Sequence, residues 1–311
     1  MFSRVVIIGI GLIGGSVGLA VKQRCLAGSV VGIDTNIRNL EEAKKLGAVD
    51  EFTADLETGI NLGAGIAAPE NTVPDTGAYT ASSLPGAELL IIAVPVSLIA
   101  DYVQRAAAAV KTGINYRNVL ITDTGSTKET ICTQLGQIVL PNGCRYIGSH
   151  PIAGKETSGV VNADAHLFED KLTVVTPVNS SKDRDIGSLI RFWSALGAFV
   201  ANMSPSEHDR TLARTSHLPH ILSALLADRL QLDDAKYTGT GYRSTTRLAS
   251  GMPAIWRDII SNNKDAILES IRDFESALNG LREKIEAQNW DAVAQFLEHA
   301  KQNRDNLDET I

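Results

Sequence analysis

Short apolar runs alternate with longer segments of helical periodicity in the chain up to Met203. The runs are rich in β-branched residues and are apolar at nearly every position, which is typical of strands buried on both faces of a parallel sheet. This alternation predicts βαβ units and an α/β fold with a mostly parallel sheet. The predicted strands are Val5–Ile8, Val30–Ile33, Leu89–Val94, Val119–Thr122, Tyr146–Gly148, Thr173–Thr176 and Phe199–Met203.

The pattern changes after Ser204, where helical periodicity continues and no convincing strand follows. We therefore predict two domains, a sheet domain over residues 1–203 and an all-α domain over residues 204–311. The first helix of the second domain is apolar around much of its circumference, and a small domain cannot cover such a helix by itself. This pattern predicts a homodimer formed through the helical domain. The predicted helices are Ser206–Leu230, Ser244–Ala249, Ile255–Asn279 and Leu281–Asn306.

One segment of the predicted sheet domain, Thr58–Gly86, is rich in Gly, Thr, Ser, Asn and Pro. A structureless connection of this length is uncommon inside a compact domain. We interpret the segment as an insertion that is either mobile or functional, and both alternatives stay open.

Composition and charge narrow the class of protein. The chain has 311 residues, of which 44% are hydrophobic and 21% are charged, so it can bury a sizeable core. Its net charge of -7, without a sustained basic run, argues against a nucleic-acid partner. The scattered Cys25, Cys132 and Cys144 argue against a disulfide framework and favour a reducing cytoplasm. The longest apolar stretch, Leu89–Ala100, is much shorter than the ~20 residues that a membrane helix needs.

Three glycines follow the first predicted strand in the pattern G-x-G-x-x-G. Gly9 allows a tight turn, Gly11 lets the backbone approach a pyrophosphate, and Gly14 lets the helix and the strand pack closely. Because the motif lies between a predicted strand and a predicted helix, it indicates a dinucleotide-binding domain of the Rossmann type. Leu12 and Ile13, which lie between the last two glycines, belong to the same predicted cofactor site. The glycines also interrupt an apolar segment that resembles a signal peptide, and they argue against that interpretation.

An acidic residue, Asp34, ends the second predicted strand, about 20 residues after the third glycine. Its carboxylate can accept hydrogen bonds from an adenosine ribose and repels a 2′-phosphate, which favours NAD over NADP. Arg38 lies nearby and keeps NADP as the alternative, because arginine can receive that phosphate. We also assign Val94, Pro95 and Thr124 to the cofactor site, since they lie where neighbouring strands end. For Pro95, a simple strand stop is the alternative.

Two polar segments, Asp123–Lys128 and Gly148–Glu156, follow neighbouring predicted strands. Ligands of open α/β sheets bind beyond the carboxyl ends of the strands, so we expect Ser126 and His150 to face the nicotinamide. A histidine there can accept or share a hydroxyl proton near neutral pH while hydride leaves the same carbon. The structural alternatives are a histidine that bonds backbone groups and a serine that caps its helix.

The predicted helical domain carries two arginines, Arg243 and Arg247, and two histidines, His217 and His220. Arginine presents a planar fork to carboxylates, so we predict that the arginines bind substrate carboxylates, which the acidic protein otherwise repels. Surface arginines on a short helix are the alternative. The spacing of the histidines permits metal ligation, but the sequence offers no further ligand, and we predict that no metal binds.

With these motifs in this order, the chain resembles the prephenate and arogenate dehydrogenase family over almost its whole length. The resemblance implies an NAD-dependent enzyme of tyrosine biosynthesis, with a Rossmann-type domain followed by an all-α domain that builds an intertwined homodimer. Ser244 departs from the family, since many members carry an acid there. The resemblance rests on Gly9–Gly14, Asp123–Lys128, Ser149–Gly154, Ser216–His220, Thr246–Ala249 and Trp256–Asp258.

The same resemblance implies a role for individual residues. It implies that His150 is the catalytic histidine, hydrogen-bonded to the ring hydroxyl of the substrate, and that Ser126 supports it. It further implies that Arg247 binds a substrate carboxylate, that His217 lines the same pocket, and that Glu156 gates access to it. The implied reaction is the oxidative decarboxylation of prephenate to 4-hydroxyphenylpyruvate by a monofunctional enzyme.

Several alternatives remain at this stage. Arogenate, or both substrates in a cyclohexadienyl dehydrogenase, are alternatives to prephenate, which the residue Glu156 favours. A more remote alternative is a β-hydroxyacid dehydrogenase. Such enzymes rely on a lysine in the helical domain, whereas this chain offers Arg247 in that domain and His150 in the sheet domain. An NAD-sensing module without activity would have no use for those two residues.

Overall fold

The structure is a computed structural model that describes residues 1–62, 87–111, 118–155 and 157–310. Most of the predicted insertion and the predicted gate Glu156 lie outside the described residues. The strands are β1 Arg4–Ile8, β2 Val30–Ile33, β3 Glu51–Thr53, β4 Ala87–Ile92, β5 Asn118–Asp123, β6 Arg145–Tyr146, β7 Gly148–Pro151, β8 Leu172–Thr176 and β9 Phe199–Asn202. The helices of the sheet domain are α1 Leu12–Gln23, α2 Ile37–Lys45, α3 Leu56–Asn61, α4 Val96–Ala109, α5 Glu129–Gly136 and α6 Asp183–Ala195.

The first six strands form one parallel sheet in the order β3-β2-β1-β4-β5-β6. The order reverses beside β1, and this reversal opens a crevice at the carboxyl ends of β1 and β4. Consecutive residues of β1 belong to different cores: Val5 and Ile7 pack on one face of the sheet, and Val6 and Ile8 pack on the other. The α/β fold and the mostly parallel sheet predicted from the apolar runs are therefore confirmed.

A second, three-stranded sheet contains β7, β8 and β9, with β7 antiparallel to β8. The sequence pattern predicted a single strand over Tyr146–Gly148, and this prediction is wrong in one respect. The chain leaves the large sheet at Ile147, whose N–H donates to Ile121 O at 3.0 Å, and a new strand begins at Gly148. The change of sheet brings the segment that contains His150 across the carboxyl end of β5.

The edge strand β3 was not predicted. It is three residues long and none of its side chains is fully buried, so it lacks the apolar run that marked the other strands. It extends the large sheet beside β2, where Gly32 pairs with Phe52.

From Pro205 to Thr310 the described residues form helices and the turns that connect them, as the sequence predicted. The predicted helix Ser206–Leu230 contains a π-helical turn at Ala213–His217, a feature that often marks functional sites. The predicted break near Gly280 is wrong, because the helix that begins at Pro253 ends at Asn262 and Gly280 lies inside the next helix, Lys264–Glu286. Asn263, which separates the two helices, bonds two other elements through its side chain. The helices are α7 Pro205–Leu212, α8 Leu218–Asp228, α9 Thr240–Thr245, α10 Pro253–Asn262, α11 Lys264–Glu286 and α12 Trp290–Thr310.

The helical domain leaves many large apolar side chains exposed. On α8, Leu225 and Leu226 are 52% and 46% exposed, and exposed apolar residues continue on α11 and α12, among them Phe274, Leu278 and Phe296. The apolar circumference predicted for this helix is thus not covered by the chain itself. None of the helices that the structure describes combines the length and the apolar character that a membrane crossing requires.

Candidate active site

The residues predicted to bind the cofactor lie together at the carboxyl edge of the parallel sheet. Ala93 N donates to Ile8 O at 2.7 Å, and Thr124 N donates to Ile92 O at 3.1 Å. The segments that leave β1, β4 and β5 therefore run side by side. The glycine turn, Val94, Pro95 and Thr124 lie at consecutive strand ends, where the sequence predicted them.

The glycine turn is close-packed at two of its three positions and open at the third. Gly9 has a φ of 96°, and a Cβ there would lie 2.3 Å from Ala93 O. A Cβ on Gly14 would lie 2.0 Å from Gly9 O, so this helix and strand tolerate only glycine at their contact. At Gly11 an added Cβ meets nothing within 4 Å. The backbone therefore leaves room for a pyrophosphate at Gly11, as the three predicted roles require.

The helices α1, α4 and α5 begin at this edge after the central strands β1, β4 and β5, and their N-termini differ. Asp258 of α10 accepts a hydrogen bond from Ser97 N in the first turn of α4, at 3.1 Å. Asp209 of α7 accepts from the first backbone N–H groups of α5. By contrast, the N-cap residue of α1 is Gly11, which has no side chain, and the first turn of α1 carries no acidic residue. The open N-terminus fits an anionic phosphate, because unpaired N–H groups and the helix dipole both favour negative charge there.

Asp34, predicted to bind the ribose, also supports the glycine turn. Its Oδ2 accepts from Ile10 N at 2.7 Å, and its Oδ1 accepts from Asn36 N at 2.8 Å. A carboxylate has about four acceptor sites, so these two bonds leave capacity for a ligand hydroxyl. Asp34 is half-buried and Arg38 is exposed on the following helix.

A buried carboxylate shapes the turn after β5. Asp123 Oδ2 accepts from Gly125 N at 2.8 Å and from the ammonium of Lys128, while its Oδ1 accepts from Tyr146 OH at 2.8 Å and from Ser149 N at 3.3 Å. An ion pair without solvent exposure is costly unless further hydrogen bonds satisfy the charges, and here several do. This network fixes the turn on which the half-buried Ser126 lies.

His150 lies at the end of a buried chain of side chains that crosses between the two domains. Its Nδ1 is 2.9 Å from Nε2 of His208, and Nδ1 of His208 is 2.7 Å from Oδ1 of Asp209. The two carboxylate oxygens of Asp209 also accept from Lys128 N at 2.7 Å and from Glu129 N at 2.9 Å. His208 and Asp209 are buried to 0% and 1% exposure, whereas His150 retains 8%.

Burial makes this group of histidines poor bases toward free protons. Desolvation, followed by the charges of His208 and Lys128, lowers the pKa of His150 well below its usual value. Burial also lowers the pKa of His208, although the hydrogen bond to Asp209 opposes that shift. The same cause lowers the pKa of His217 to about 4. At neutral pH the three rings are therefore uncharged, which is the state that a proton acceptor needs.

His217 lies beside this chain, to which it is linked through Asn263. Its Nδ1 accepts from the side-chain amide of Asn263 at 3.1 Å, and that amide also donates to Asp209 O at 2.8 Å. The indole of Trp256 meets the ring of His217 edge-on and stacks on the ring of His220, with centroids 3.6 Å apart. The helical domain therefore builds one wall of the site from histidines and an aromatic residue.

The two arginines predicted to bind carboxylates are both exposed, and one of them lies beside this wall. Arg243 is exposed on α9, and Arg247 is exposed in the 3-10 turn Arg247–Ser250. Ala249 N donates to Ser223 Oγ at 3.0 Å, which anchors that turn to α8. The charge of Arg247 contributes to the lowered pKa of His220, after burial. The structure thus brings Arg247 to the histidine wall.

Sequence analysis missed two residues that contact His150 directly or through one ring, His208 and Asp209. No motif marks them, because they lie 58 or more positions along the chain from His150 in the first turns of an ordinary amphipathic helix. The sequence offered one signal for them, a histidine followed directly by an aspartate close to the predicted domain boundary.

The sheet edge and the histidine wall place the chain among dinucleotide-dependent dehydrogenases. A family model described as "Prephenate dehydrogenase, nucleotide-binding domain" matches residues 60–202, and one described as "Prephenate dehydrogenase, dimerization domain" matches residues 204–302. The prephenate dehydrogenase of Bacillus subtilis (strain 168) is 30% identical over 99% of this chain and 76% of its own length. The chain belongs to the prephenate dehydrogenase family.

Two further relatives cover nearly all of both chains. The cyclohexadienyl dehydrogenase of Zymomonas mobilis is 30% identical over 98% of this chain and 94% of its own length. The crystal structure of the Aquifex aeolicus prephenate dehydrogenase, in complex with hydroxyphenyl propionate and NAD+, superposes with a TM-score of 0.83 at 27% identity and covers 99% of each chain. The similarity therefore extends over both domains.

Proposed function

We propose that the chain catalyses the NAD+-dependent oxidative decarboxylation of prephenate to 4-hydroxyphenylpyruvate, a step of tyrosine biosynthesis. The observation that carries the proposal is the environment of His150. This uncharged histidine is held at the carboxyl edge of the sheet by a hydrogen bond to His208, which in turn bonds Asp209. The relatives named above, a prephenate dehydrogenase and a cyclohexadienyl dehydrogenase, support the same assignment.

The cofactor would bind along the strand ends of β1, β4 and β5. Gly11, Leu12 and Ile13 would hold the pyrophosphate at the open N-terminus of α1, with Gly9 and Gly14 allowing the close backbone approach. Asp34 would accept hydrogen bonds from the ribose hydroxyls and disfavour a 2′-phosphate. Val94, Pro95 and Thr124 would line the crevice. When bound, the cofactor supplies the hydride acceptor.

The residues of the chain would handle the proton and the charges. Nε2 of His150 accepts the proton of the ring hydroxyl as the hydrogen on the same carbon leaves with its electron pair. The bond to carbon dioxide then breaks, its electrons enter the ring, and the aromatic oxygen takes the proton back from His150. The products are 4-hydroxyphenylpyruvate, carbon dioxide and NADH, so no proton is lost or gained overall.

The remaining predicted residues would bind and orient the substrate. Arg247 would pair with one carboxylate and Arg243 with the other, since both residues are exposed and arginine presents a planar fork to carboxylates. His217 would line the pocket between them and His150. Ser126 would support His150 from the turn that Asp123 shapes. We retain the proposal that Glu156 gates access to the site.

We further propose a homodimer formed through the helical domain, where Leu225 and Leu226 of α8 and the apolar residues of α11 are exposed. The match of residues 204–302 to a dimerization domain supports this arrangement. Burying such side chains contributes about 25 cal/mol per Å² of apolar area, which favours association.

The three cysteines are free thiols, which supports a reducing cytoplasmic location.

A second candidate function is the oxidation of arogenate, alone or together with prephenate. The Zymomonas mobilis relative, a cyclohexadienyl dehydrogenase at the same identity, favours this alternative. The two substrates differ only in an amino group or a keto oxygen on the side chain, which the residues described above do not distinguish.

The test is NADH formation by the purified protein with prephenate and with arogenate, each with NAD+ and with NADP+. We expect turnover of prephenate with NAD+. A preference for arogenate would move the protein to the second candidate, and a preference for NADP+ would remove the proposed role of Asp34. Absence of turnover with all four pairs would contradict the proposed function.

A further inference from the structure

We propose that His208 and Asp209 are positioning residues that fix the tautomer of His150, so that its Nε2 carries no proton and can receive the substrate's hydroxyl proton. This inference rests on the proposed function for its chemical step. The tautomer itself follows from hydrogen bonds of the chain, and it can be tested without any substrate.

The argument begins at the carboxylate of Asp209, which can only accept hydrogen bonds. Its partners are Lys128 N at 2.7 Å, Glu129 N at 2.9 Å and Nδ1 of His208 at 2.7 Å. The two backbone groups are obligatory donors, and they keep the carboxylate oriented toward α5. Nδ1 of His208 must therefore carry a proton.

The second step passes through the ring of His208. A neutral imidazole with a proton on Nδ1 has a lone pair on Nε2, and this Nε2 lies 2.9 Å from Nδ1 of His150. Only a proton on Nδ1 of His150 completes the hydrogen bond. The remaining nitrogen of His150, Nε2, is then an acceptor. His208 is fully buried, so His150 is the ring of the pair that retains exposure.

The same chain also stabilises the charged form of His150 during the reaction. When Nε2 receives a proton, the new imidazolium donates through Nδ1 to His208, which in turn donates to the negative carboxylate of Asp209. The carboxylate is thus coupled to the reacting ring through one intervening imidazole. Its backbone partners, Lys128 N and Glu129 N, prevent it from turning away. This arrangement orients the base and favours its protonation only during proton transfer.

A direct test measures the tautomer in the free protein. Long-range nitrogen–proton correlation NMR spectra of isotope-labelled protein distinguish which ring nitrogen carries the proton, and His150→Asn assigns the signals. We expect the proton on Nδ1 of His150. A proton on Nε2 would overturn the proposal, whatever the substrate of the enzyme turns out to be.

A second test uses paired variants of His208. Gln at this position offers an oxygen to His150 and an amide to Asp209, whereas Leu offers neither. We expect His208→Gln to keep kcat within about tenfold of the original protein and His208→Leu to lower it by about 10²-fold, with KM for the substrate little changed in both. Equal losses in the two variants would indicate a packing role and would overturn the proposal.

The third test changes the carboxylate. In Asp209→Asn the side-chain amide N–H faces one of the three groups that donate to Asp209. This contact disfavours the original tautomer of the histidines, so kcat should fall by about 10²- to 10⁴-fold. The acidic limb of the pH–rate profile should also move to lower pH, because the imidazolium loses its negative partner. Asp185→Asn is the matched control, since Asp185 is buried and accepts from Arg145 Nε at 2.6 Å in the sheet domain. An unmoved limb, or an equal loss in the control, would contradict the proposal.

Discussion

Two helix N-termini at the same edge of the sheet are used in opposite ways. At the start of α1, Gly11 provides no side chain and leaves the backbone open. At the start of α5, Asp209 from the helical domain fills the equivalent position and accepts from Lys128 N and Glu129 N. The first arrangement keeps donors for a ligand anion, and the second supplies the anion from the chain itself. The comparison teaches that one helix-end geometry serves binding in one place and orientation of a base in the other.

The largest effect should come from removing the base at the filled N-terminus. We expect His150→Asn to lower kcat by about two to four orders of magnitude, because the substrate hydroxyl loses its proton acceptor. The open N-terminus of α1 is untouched, so NAD+ affinity should stay the same. Steady-state kinetics and calorimetric titration with NAD+ measure the two quantities. An unchanged rate would remove His150 from the mechanism.

The next effect separates two glycines of the open N-terminus. Gly14→Ala places a Cβ 2.0 Å from Gly9 O, so we expect a loss of about 1–3 kcal/mol or more of folding free energy together with a loss of NAD+ binding. The Cβ added by Gly11→Ala meets nothing within 4 Å among the residues that the structure describes. It should cost less than about 1 kcal/mol of stability but weaken NAD+ binding by about tenfold or more. Denaturation curves and NAD+ titrations of both variants measure these changes.

Gly11→Ala is the sharper of the two variants, because its added methyl group contacts no described atom of the chain and lies where we propose that the pyrophosphate binds. Normal NAD+ affinity in this variant would mean that the pyrophosphate lies elsewhere. The comparison between an open and a filled helix end would then lose its functional meaning.

The two regions also differed in how well the sequence predicted them. The close packing of the glycine turn was predicted, because Gly9 and Gly14 are neighbours in sequence and each answers a local backbone requirement, while the role of Gly11 toward a pyrophosphate stays a prediction. His150 was predicted from its place after a strand. His208 and Asp209 were missed, since they reach the site only when the helical domain docks on the sheet domain, and no local pattern encodes that docking.

The same reason explains the errors in the fold. The break predicted at Gly280 relied on the low helix propensity of glycine, about 1 kcal/mol. The break at Asn263 instead reflects tertiary contacts, since its side chain bonds Asp209 O and His217 Nδ1. The hydrogen bonds between distant segments therefore decide where the helix ends, and the low helix propensity of Gly280 does not. The strand β3 was missed because it contains no apolar run. Its side chains are exposed or half-buried, whereas all residues of its partner β2 are buried.

A third prediction concerns pH, and it applies to the filled region, since the glycine turn contains no histidine. Burial lowers the pKa of His217 to about 4, below the ~6.5 of the unfolded chain. Between these values the unfolded state binds the proton and the folded state does not, so stability falls as the pH falls through this window. At pH 5 this one group should remove about 2 kcal/mol relative to pH 7 or above.

Thermal denaturation at pH 7 and pH 5 checks this expectation. The difference in Tm between the two pH values should shrink in His217→Gln, which keeps an acceptor for Asn263 without a titratable ring. The exposed His299→Gln is the matched control and should leave the difference as it was. A stability that is equal at both pH values would contradict the expectation.

The smallest effect should come from the third helix end, that of α4, which Asp258 of the helical domain caps through Ser97 N at 3.1 Å. Asp258→Ala removes a carboxylate from a helix N-terminus, which typically costs about 0.5–2 kcal/mol. Asp258 also accepts from the side-chain amide of Asn262 at 3.2 Å, so Asp258→Asn, which keeps an acceptor oxygen, should recover most of the loss. Because no base depends on this cap, kcat should stay within about threefold of the original protein, in contrast to Asp209→Asn. If Asp258→Ala lowered kcat as strongly as Asp209→Asn does, the filled end of α5 would have no special link to the base, and both carboxylates would act only by holding the two domains together.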